Sequence, residues 1–305
     1  MMMGLVACTL FITSCSQNEV TDNDQEQKLI GFNNLNDRLT KAANDSISNY
    51  GVFAQYSVTP STWFMDNIVV HGTENTYSPA QYWPKTGTVD FYAYAPQGSS
   101  NITIIDSTVG DLPLTYTVPL TADEDFTIAT PAIDKTEATG TVALSFKHML
   151  SKITVAADLT QDLKDAGYSV TFSSANVTVA KTTGSTNLTT AADLGTTSGD
   201  ATTYSGRKSY MFLPQESVGV KIQLKDVTIK YGSEVYLNNK DLLEYTIETD
   251  NVSTNNFVSN THYAVNFTIQ ATSKDSAGNP IFGGAIQFSS ILADWTDSTV
   301  AINQP

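Results

Sequence analysis

Apolar and polar residues alternate along much of the chain with the two-residue period of half-buried β-strands. The pattern is clearest in residues 140–159, where Met149 and Leu150 interrupt it. Two apolar sets of opposite parity flank that interruption, namely Val142, Leu144 and Phe146, then Ile153, Val155 and Ala157. A bulged or bent strand that passes between two sheets produces such a change of parity. We therefore interpret this stretch as the first strand of a second β domain.

Other short segments predict further strands on the same grounds. They are residues 28–32, 50–56, 89–95, 102–105, 114–118, 168–172, 210–213, 218–224 and 263–269. Residues 160–166 predict one short helix, with Thr160 as the N-cap and Gly167 as the stop. Residues 182–205 are rich in Thr, Ser, Gly and Ala, and they predict a long exposed loop.

Composition and length support an all-β chain with two domains. Only 15% of the 305 residues are charged, while Thr, Ser, Tyr and Val recur throughout, which favours pleated, half-exposed strands. An acidic stretch rich in Pro and Thr, residues 123–139, separates the two sets of strands. We expect an N-terminal β-sandwich over residues 28–138 and a C-terminal β-sandwich over residues 139–305, each with its own core.

The first residues predict a targeting segment rather than part of the fold. Residues 1–13 are apolar but too short to span a bilayer, and they lead into Ile12, Thr13, Ser14 and Cys15. This pattern resembles the lipobox of bacterial lipoproteins, which implies a signal peptide over residues 1–14 and acylation of Cys15 with palmitate-type chains. Residues 15–27 then form a polar, acidic tether. The alternative is an ordinary secretory leader with a chance cysteine.

Charge and motif content argue against several classes of function. The net charge of −15 would repel a phosphate backbone, so nucleic acid is not an expected partner. His71, His148 and His262 lie far apart, and none has a second His or Cys at ligand spacing. Ser205 and Lys208 match a serine-x-x-lysine pattern, but no partner motif accompanies them. We expect no enzyme, no metal and no cofactor.

Several motifs, taken in order, resemble the fimbrillins, which are the subunits of type V pili. The motifs are the lipobox, residues 38–42 (RLTKA), 51–54 (GVFA), 65–67 (MDN), 82–84 (YWP), 91–96 (FYAYAP), 146–152 (FKHMLSK), 212–214 (FLP) and 291–295 (ILADW). The resemblance spans nearly the whole mature chain. It implies two transthyretin-like antiparallel β-sandwich domains in tandem and a non-enzymatic role as a pilus subunit or pilus-like adhesin.

The resemblance also implies how the subunit would be processed. Fimbrillins that polymerise lose an N-terminal segment by cleavage after an arginine, which removes the first strand, and Arg38 occupies the corresponding position. Ile30 and Phe32 would then lie on the buried face of the displaced strand. The groove that this strand vacates would accept a donor strand from the next subunit. The segment that contains Val300 and Ile302, near the C-terminus, offers such a strand. The alternative for Arg38 is a solvated loop residue.

The implied location is the cell outer membrane or the fimbrium, with other pilin subunits as partners and membrane lipid bound through Cys15. A second class of function stays open, because aromatic side chains stack on sugar rings. Trp63, Trp83, Trp295 and many tyrosines would suit a surface lipoprotein that binds host or microbial glycans and does not polymerise. The alternative is that these rings fill the two cores.

Overall fold

The computed structural model describes residues 27–36, 47–57, 62–198, 200–246, 256–282 and 287–292. These residues form an all-β structure, as predicted. The first thirteen strands are β1 (Gly31–Asn36), β2 (Asn49–Tyr56), β3 (Trp63–His71), β4 (Thr76–Tyr77), β5 (Val89–Ala95), β6 (Ile102–Ile104), β7 (Pro113–Thr117), β8 (Thr127–Ala129), β9 (Ala132–Lys135), β10 (Thr141–His148), β11 (Ser151–Leu159), β12 (Tyr168–Thr171) and β13 (Ser174–Val179).

The remaining strands are β14 (Thr183–Asn187), β15 (Gly195–Ser198), β16 (Thr202–Arg207), β17 (Ser209–Phe212), β18 (Gln215–Glu216), β19 (Lys221–Tyr231), β20 (Glu234–Thr246), β21 (Asn256–Phe257), β22 (Thr261–Ile269), β23 (Ala271–Lys274), β24 (Pro280–Phe282) and β25 (Gln287–Leu292). A 3-10 turn covers Glu137–Thr139, and the helix α1 covers Gln161–Asp165 after Thr160. The short helix thus lies where the sequence predicts it.

The largest sheet has eight strands, and the N-terminal strand β1 lies at one end of it. The order is β1-β10-β8-β5-β2-β3-β4, with β9 also paired to β5. Most neighbours are antiparallel, but β1 runs parallel to β10, and in another sheet β11 runs parallel to β22. The predicted antiparallel sheets thus include these two parallel pairs.

Residues 140–159 form two strands in two different sheets rather than one bent strand. β10 joins the eight-stranded sheet between β1 and β8, whereas β11 joins a sheet of order β17-β11-β22-β25. Met149 and Leu150, both buried, form the passage between them. The change of parity marks this crossing, and β10, which the sequence analysis assigns to the second domain, lies in the same sheet as the N-terminal strands.

One sheet combines strands from before and after that crossing. Its order is β15-β14-β7-β6, and β14 pairs with β7 over five residues. The exposed loop predicted for residues 182–205 is therefore wrong, since it contains β14, β15 and β16. The inward positions of β14 are Gly184 and Thr186, so no apolar alternation marks the strand. The Thr186 hydroxyl donates a hydrogen bond to the carbonyl oxygen of Ala192 at 2.6 Å.

The third large sheet has the order β12-β19-β13-β16, and the long strand β20 also pairs with β19. β20 and β19 form a hairpin in which Tyr231 lies opposite Glu234. Two smaller pairs, β18 with β21 and β23 with β24, complete the described strands. The hairpin of β23 and β24 contributes Phe282 to the packing near Tyr168.

Two apolar clusters fill the interior, and the eight-stranded sheet separates them. The first cluster contains Ile30, Phe32, Tyr50, Val52, Ala54, Met65, Val70, Trp83, Val89, Phe91, Ala93, Ala95, Ala129, Ala132, Val142, Leu144 and Phe146. The second cluster combines Phe53, Tyr92 and Tyr94 of the same sheet with residues from both sides of Met149. β5 is buried along its whole length because each of its faces serves one cluster. The second cluster, which we also call the second core, is therefore built from residues that precede Met149 and residues that follow it.

Two neighbouring buried tyrosines of the second cluster should differ in how much their hydroxyl groups contribute to the stability of the fold. The rings of Tyr204 and Tyr210 are 5.9 Å apart. The Tyr210 hydroxyl donates to the Ala175 carbonyl oxygen at 2.6 Å and accepts the Arg207 N–H at 2.8 Å. Among the described residues the Tyr204 hydroxyl has no hydrogen-bond partner, and burial raises the pKa of Tyr204 to about 12.

We therefore expect Tyr210→Phe to lower the free energy of unfolding by about 1–3 kcal/mol, since it leaves buried backbone groups unpaired. Tyr204→Phe should change it by less than about 0.5 kcal/mol or stabilise the fold, since it removes an unsatisfied group. Urea unfolding of the two variants beside the wild type measures both effects. A larger loss for Tyr204→Phe than for Tyr210→Phe would show that this hydrogen-bond assignment is wrong.

Candidate functional site: the N-terminal strand and its groove

The N-terminal strand β1 pairs with one strand, and the residues just before it pair with a second segment of backbone. On one side, residues 31–36 pair in parallel with residues 141–146 of β10. On the other side, just before β1, the Ile30 N–H donates to the Gln81 carbonyl oxygen at 2.9 Å. The Trp83 N–H donates to the Lys28 carbonyl oxygen, also at 2.9 Å. We call the surroundings of residues 28–36 the β1 groove. They are β10, the segment from Gln81 to Trp83, and the apolar residues that pack against Ile30 and Phe32.

The floor of the β1 groove is apolar and largely aromatic. Ile30 is 0% exposed and Phe32 is 4% exposed, so both side chains are enclosed by the first cluster. The Phe32 ring meets Tyr77 edge-on at 5.4 Å between ring centroids and Phe91 at 5.7 Å. Trp83 packs edge-on against Phe91 at 5.9 Å. Full burial of an Ile or Phe side chain contributes about 1.5–3 kcal/mol, so these two residues hold the strand firmly.

Hydrogen bonds to the β3–β4 region fix the position of the strand. The Tyr77 hydroxyl lies 2.7 Å from the Ile30 carbonyl oxygen, to which it donates, and 3.2 Å from the Gln81 carbonyl oxygen. Burial raises the pKa of the Tyr77 hydroxyl, so it remains a neutral donor over the physiological range. The Asn34 side-chain amide donates to the Gly72 carbonyl oxygen at 3.0 Å. These bonds set the register of β1.

Gly72 permits the close approach of the backbone at the end of β3. A Cβ atom built at this position would lie 1.9 Å from the Ile47 carbonyl oxygen and 3.1 Å from Nδ2 of Asn34. The Gly72 N–H also donates to the Ser48 carbonyl oxygen at 2.7 Å. Any side chain would therefore push apart the segments that surround β1, which explains why a glycine stands there.

The arrangement around β1 is suited to binding a strand. Its recognition elements are two backbone edges and an apolar floor, which together select an extended segment with apolar residues two positions apart. The described ranges contain no group of three or more His, Cys, Asp or Glu side chains placed to share a metal ion. Nor does that part of the chain include a helix long and apolar enough to cross a bilayer.

Of the site residues predicted from the sequence, Ile30 and Phe32 are buried in the β1 groove against its apolar floor. Cys15, Arg38, Val300 and Ile302 lie outside the described residues. The sequence analysis missed Tyr77, which belongs to the two-residue strand β4, and Gly72 and Gln81, which lie in connecting segments. The isolated Tyr77 hydroxyl carries no sequence signal, because its partner is a backbone carbonyl 47 residues away.

The tryptophans that suggested sugar binding are enclosed to different degrees. Trp83 is 1% exposed and belongs to the floor of the β1 groove. Trp63 is half-buried, packs at 5.4 Å from the Phe53 ring, and donates its indole N–H to the Ser107 carbonyl oxygen. Trp295 lies outside the described residues. Trp83 therefore offers no exposed platform, and Trp63 is used largely for packing.

His148 has an ordinary structural partner. Its Nδ1 atom lies 2.7 Å from a carboxylate oxygen of Asp125, which belongs to the acidic stretch before β8. Arg207 similarly pairs with Asp123, and its guanidinium carbon lies 4.8 Å from the centre of the Tyr210 ring. Both pairs connect the acidic stretch with residues that follow it in the chain, so they stabilise the packing of these segments against one another.

Comparisons with known proteins agree with the motifs and with the fold. A family model described as fimbrillin-like matches residues 37–295. A candidate cell adhesion protein from Bacteroides uniformis has a similar structure, with a TM-score of 0.60 and 17% identity over 88% of this chain and 99% of the other. A fimbrial protein from Bacteroides vulgatus gives a TM-score of 0.60 and 14% identity over 88% of this chain and 100% of the other. At these identities the similarity is one of fold. No curated protein matches the sequence.

Proposed function

Because the chain belongs to the fimbrillin-like family, we propose that it is a fimbrial subunit or pilus-like adhesin that assembles by exchange of its N-terminal strand. The observation that carries this proposal is the placement of β1. The strand pairs in parallel with β10 at one end of the large sheet, while Ile30 and Phe32 fill an apolar groove. Such a strand is a separate piece of the core, so the same groove can receive an equivalent strand from another chain.

Cleavage after Arg38 is the proposed trigger. Arg38 follows the last residue of β1, Asn36, by two positions, so a cut there leaves β1 held only by non-covalent contacts. Loss of the strand would expose the edge of β10 and the rings of Tyr77 and Phe91. An open groove of unpaired backbone groups and apolar side chains is costly in water, which favours its refilling by another strand.

The proposed donor is the C-terminal segment of a neighbouring subunit. Val300 and Ile302 are two positions apart, as are Ile30 and Phe32, so their side chains would point to the same face of an extended strand. A donor from one copy that fills the groove of the next makes a head-to-tail contact. Such contacts do not close on themselves, so they produce a filament.

Export as a lipoprotein would bring the subunit to the cell outer membrane. Acylation of Cys15 is the proposed anchor, and the polar residues 16–27 would space the fold from the lipid. Each buried methylene contributes about 0.8 kcal/mol, so two or more acyl chains hold a protein stably. Cleavage after Arg38 would release the subunit from this anchor, which couples release to assembly.

The alternative is a surface lipoprotein that binds glycans or a host ligand and does not polymerise. It depends on exposed aromatic side chains, namely the three tryptophans and the many tyrosines. Burial of Trp83 and the packing of Trp63 against Phe53 weaken that basis. The β1 groove, in contrast, has a direct use in assembly, and we therefore place the polymerising role first.

Treatment of the purified mature chain with an arginine-specific protease tests the proposal. We expect the cut monomers to form a ladder of oligomers, measured by size-exclusion chromatography with light scattering. Arg38→Ala should stay monomeric under the same treatment, because Arg207, the other arginine, lies in the folded part of the chain. A chain truncated before Thr299 should be cut but should not polymerise, because it lacks the donor strand.

Two results would count against the polymerising role. One is that the protease leaves Arg38 uncut in the folded protein. The other is that the cut protein stays monomeric at high concentration. Either result would favour the alternative, in which the chain stays monomeric on the cell surface and acts only by binding a ligand.

A further inference from the structure

An aromatic cluster lies at one end of the β12-β19-β20 sheet, far along the chain from the β1 groove. It consists of Tyr168, Tyr231, Tyr236 and Phe282, one residue each from β12, β19, β20 and β24. Tyr168 is at the centre, with ring centroids 5.0 Å from Tyr231, 5.5 Å from Tyr236 and 5.7 Å from Phe282. The rings of Tyr231 and Tyr236 are 6.3 Å apart and nearly perpendicular. We refer to these four residues as the tyrosine cluster.

The outer two rings of the tyrosine cluster are open to solvent. Tyr231 is 46% exposed and Tyr236 is 38% exposed, whereas Tyr168 and Phe282 are half-buried and pack on the second core. Tyr204 and Tyr210, in contrast, are fully enclosed. Exposed aromatic surface carries a hydration cost, so a compact patch of it is typical of a binding surface.

A polar loop borders the same rings. In the turn between β23 and β24, the Asp275 carboxylate accepts the N–H groups of Ala277 at 2.9 Å and Asn279 at 2.8 Å. These contacts, Asn279 foremost, lower the pKa of Asp275, so the carboxylate stays ionised. The Tyr236 hydroxyl donates to the side-chain oxygen of Asn279 at 3.4 Å. Hydroxyl, amide and carboxylate groups therefore lie at the rim of the exposed rings.

We propose that the tyrosine cluster binds neutral pyranose oligosaccharides. A pyranose ring has an apolar face of C–H groups that packs flat against an aromatic ring, and a rim of hydroxyl groups that needs donors and acceptors nearby. Tyr231 and Tyr236 supply the rings, and the Asp275–Asn279 loop supplies the polar partners. Tyrosine combines an apolar body with a polar tip, which suits both requirements.

Charge decides which saccharides fit. Asp275 borders the cluster, exposed Glu234 lies opposite Tyr231 in the hairpin, and the whole chain carries a net charge of −15. These negative charges disfavour uronic and sialic acids. Neutral hexopyranoses, including N-acetylated ones, meet no such repulsion. The site is independent of strand exchange, because none of its residues belongs to the β1 groove.

Binding of defined oligosaccharides to the full mature, uncut chain tests the proposal. The probes are maltohexaose, cellohexaose, mannohexaose and chitohexaose, with hexagalacturonate as the anionic comparison, and the measurements are saturation-transfer NMR and calorimetric titration. We expect at least one neutral hexasaccharide to bind and hexagalacturonate to bind at least tenfold more weakly. Tyr231→Ala and Tyr236→Ala should each weaken binding at least tenfold.

A matched control lies next to the cluster. Val235 is 51% exposed, precedes Tyr236 and lies opposite Lys230 in the hairpin, so it is an exposed apolar position that is not one of the four rings. Val235→Ala should bind within twofold of the wild type. Tyr231→Leu and Tyr236→Leu keep an apolar side chain and should bind as weakly as the alanine variants while keeping the wild-type melting temperature within a few degrees, which separates ring stacking from loss of fold.

Three results would overturn the proposal. The first is that none of the four neutral hexasaccharides binds at millimolar concentration. The second is that the leucine variants bind as well as the wild type, which would make the rings a structural feature. The third is that the wild type self-associates while Tyr231→Ala is monomeric and neither binds saccharide, which would make the cluster a contact between protein chains.

Discussion

A chain that begins at Thr139 should not fold on its own. Without the preceding residues, β14 loses its partner β7, and β10 loses both of its neighbours, β1 and β8. The second core also loses the large side chains of Phe53, Tyr92 and Tyr94. A core that lacks part of its apolar surface cannot offset the conformational entropy of the chain. We expect a narrow range of amide proton shifts and no cooperative melt.

Co-expression supplies the control for this experiment. Residues 15–138 and 139–305, produced together as separate pieces, should copurify and give a cooperative melt, because the strands that pair across the break are all present. A fragment 139–305 that alone gives a dispersed spectrum and a cooperative transition would contradict the prediction. That result would mean that each part of the chain closes its own core, as the sequence pattern suggests.

Phe32→Ala should produce the largest loss of stability of any single change in β1. The ring is 4% exposed and contacts the rings of Tyr77 and Phe91, so its removal leaves a cavity against these two rings. Substitution of a buried Phe by Ala costs about 3–5 kcal/mol. We expect the free energy of unfolding of the uncut chain to fall by this amount in urea unfolding. The slope of that free energy against urea concentration should stay as in the wild type.

The neighbouring position supplies the matched control. Asn33 is in the same strand but exposed, so Asn33→Ala should change the free energy of unfolding by less than about 0.5 kcal/mol. Ile30→Val, a smaller deletion on the buried face, should cost about 0.5–1.5 kcal/mol. A loss below about 1 kcal/mol for Phe32→Ala would show that β1 contributes little to the fold, and the β1 groove would lose its significance.

The alternation of residues predicted which faces are buried better than it predicted which strands pair. The parity change at Met149 and Leu150 is visible in the sequence, and the structure places a crossing between sheets at that point. Nothing in the alternation of residues 141–148 says that the strand pairs with β1 and β8. Period-two patterns define a face, whereas pairing depends on contacts between segments more than 100 residues apart, such as Phe32 with Val142.

Strands without apolar residues were missed for a related reason. β14 places Gly184 and Thr186 on its inner side, so its sequence resembles a loop, although its backbone continues the sheet of β7. The tyrosine cluster was equally hidden, because its members come from four strands spread between residues 168 and 282. Tyrosine at an alternating position predicts a half-buried strand, and only the fold determines whether its ring is enclosed or open to solvent.

The central claim is that β1 leaves its groove when the subunit assembles, and the composition of the oligomers tests it most directly. After cleavage with the arginine-specific protease, oligomers are separated from monomers and examined by native and denaturing mass spectrometry. We expect every subunit that has a neighbour in its groove to begin at Leu39 and to lack the peptide of residues 15–38, whereas cut monomers retain it non-covalently. Oligomers in which the peptide remains bound at one copy per subunit would contradict the account, since they would show that assembly leaves β1 in place.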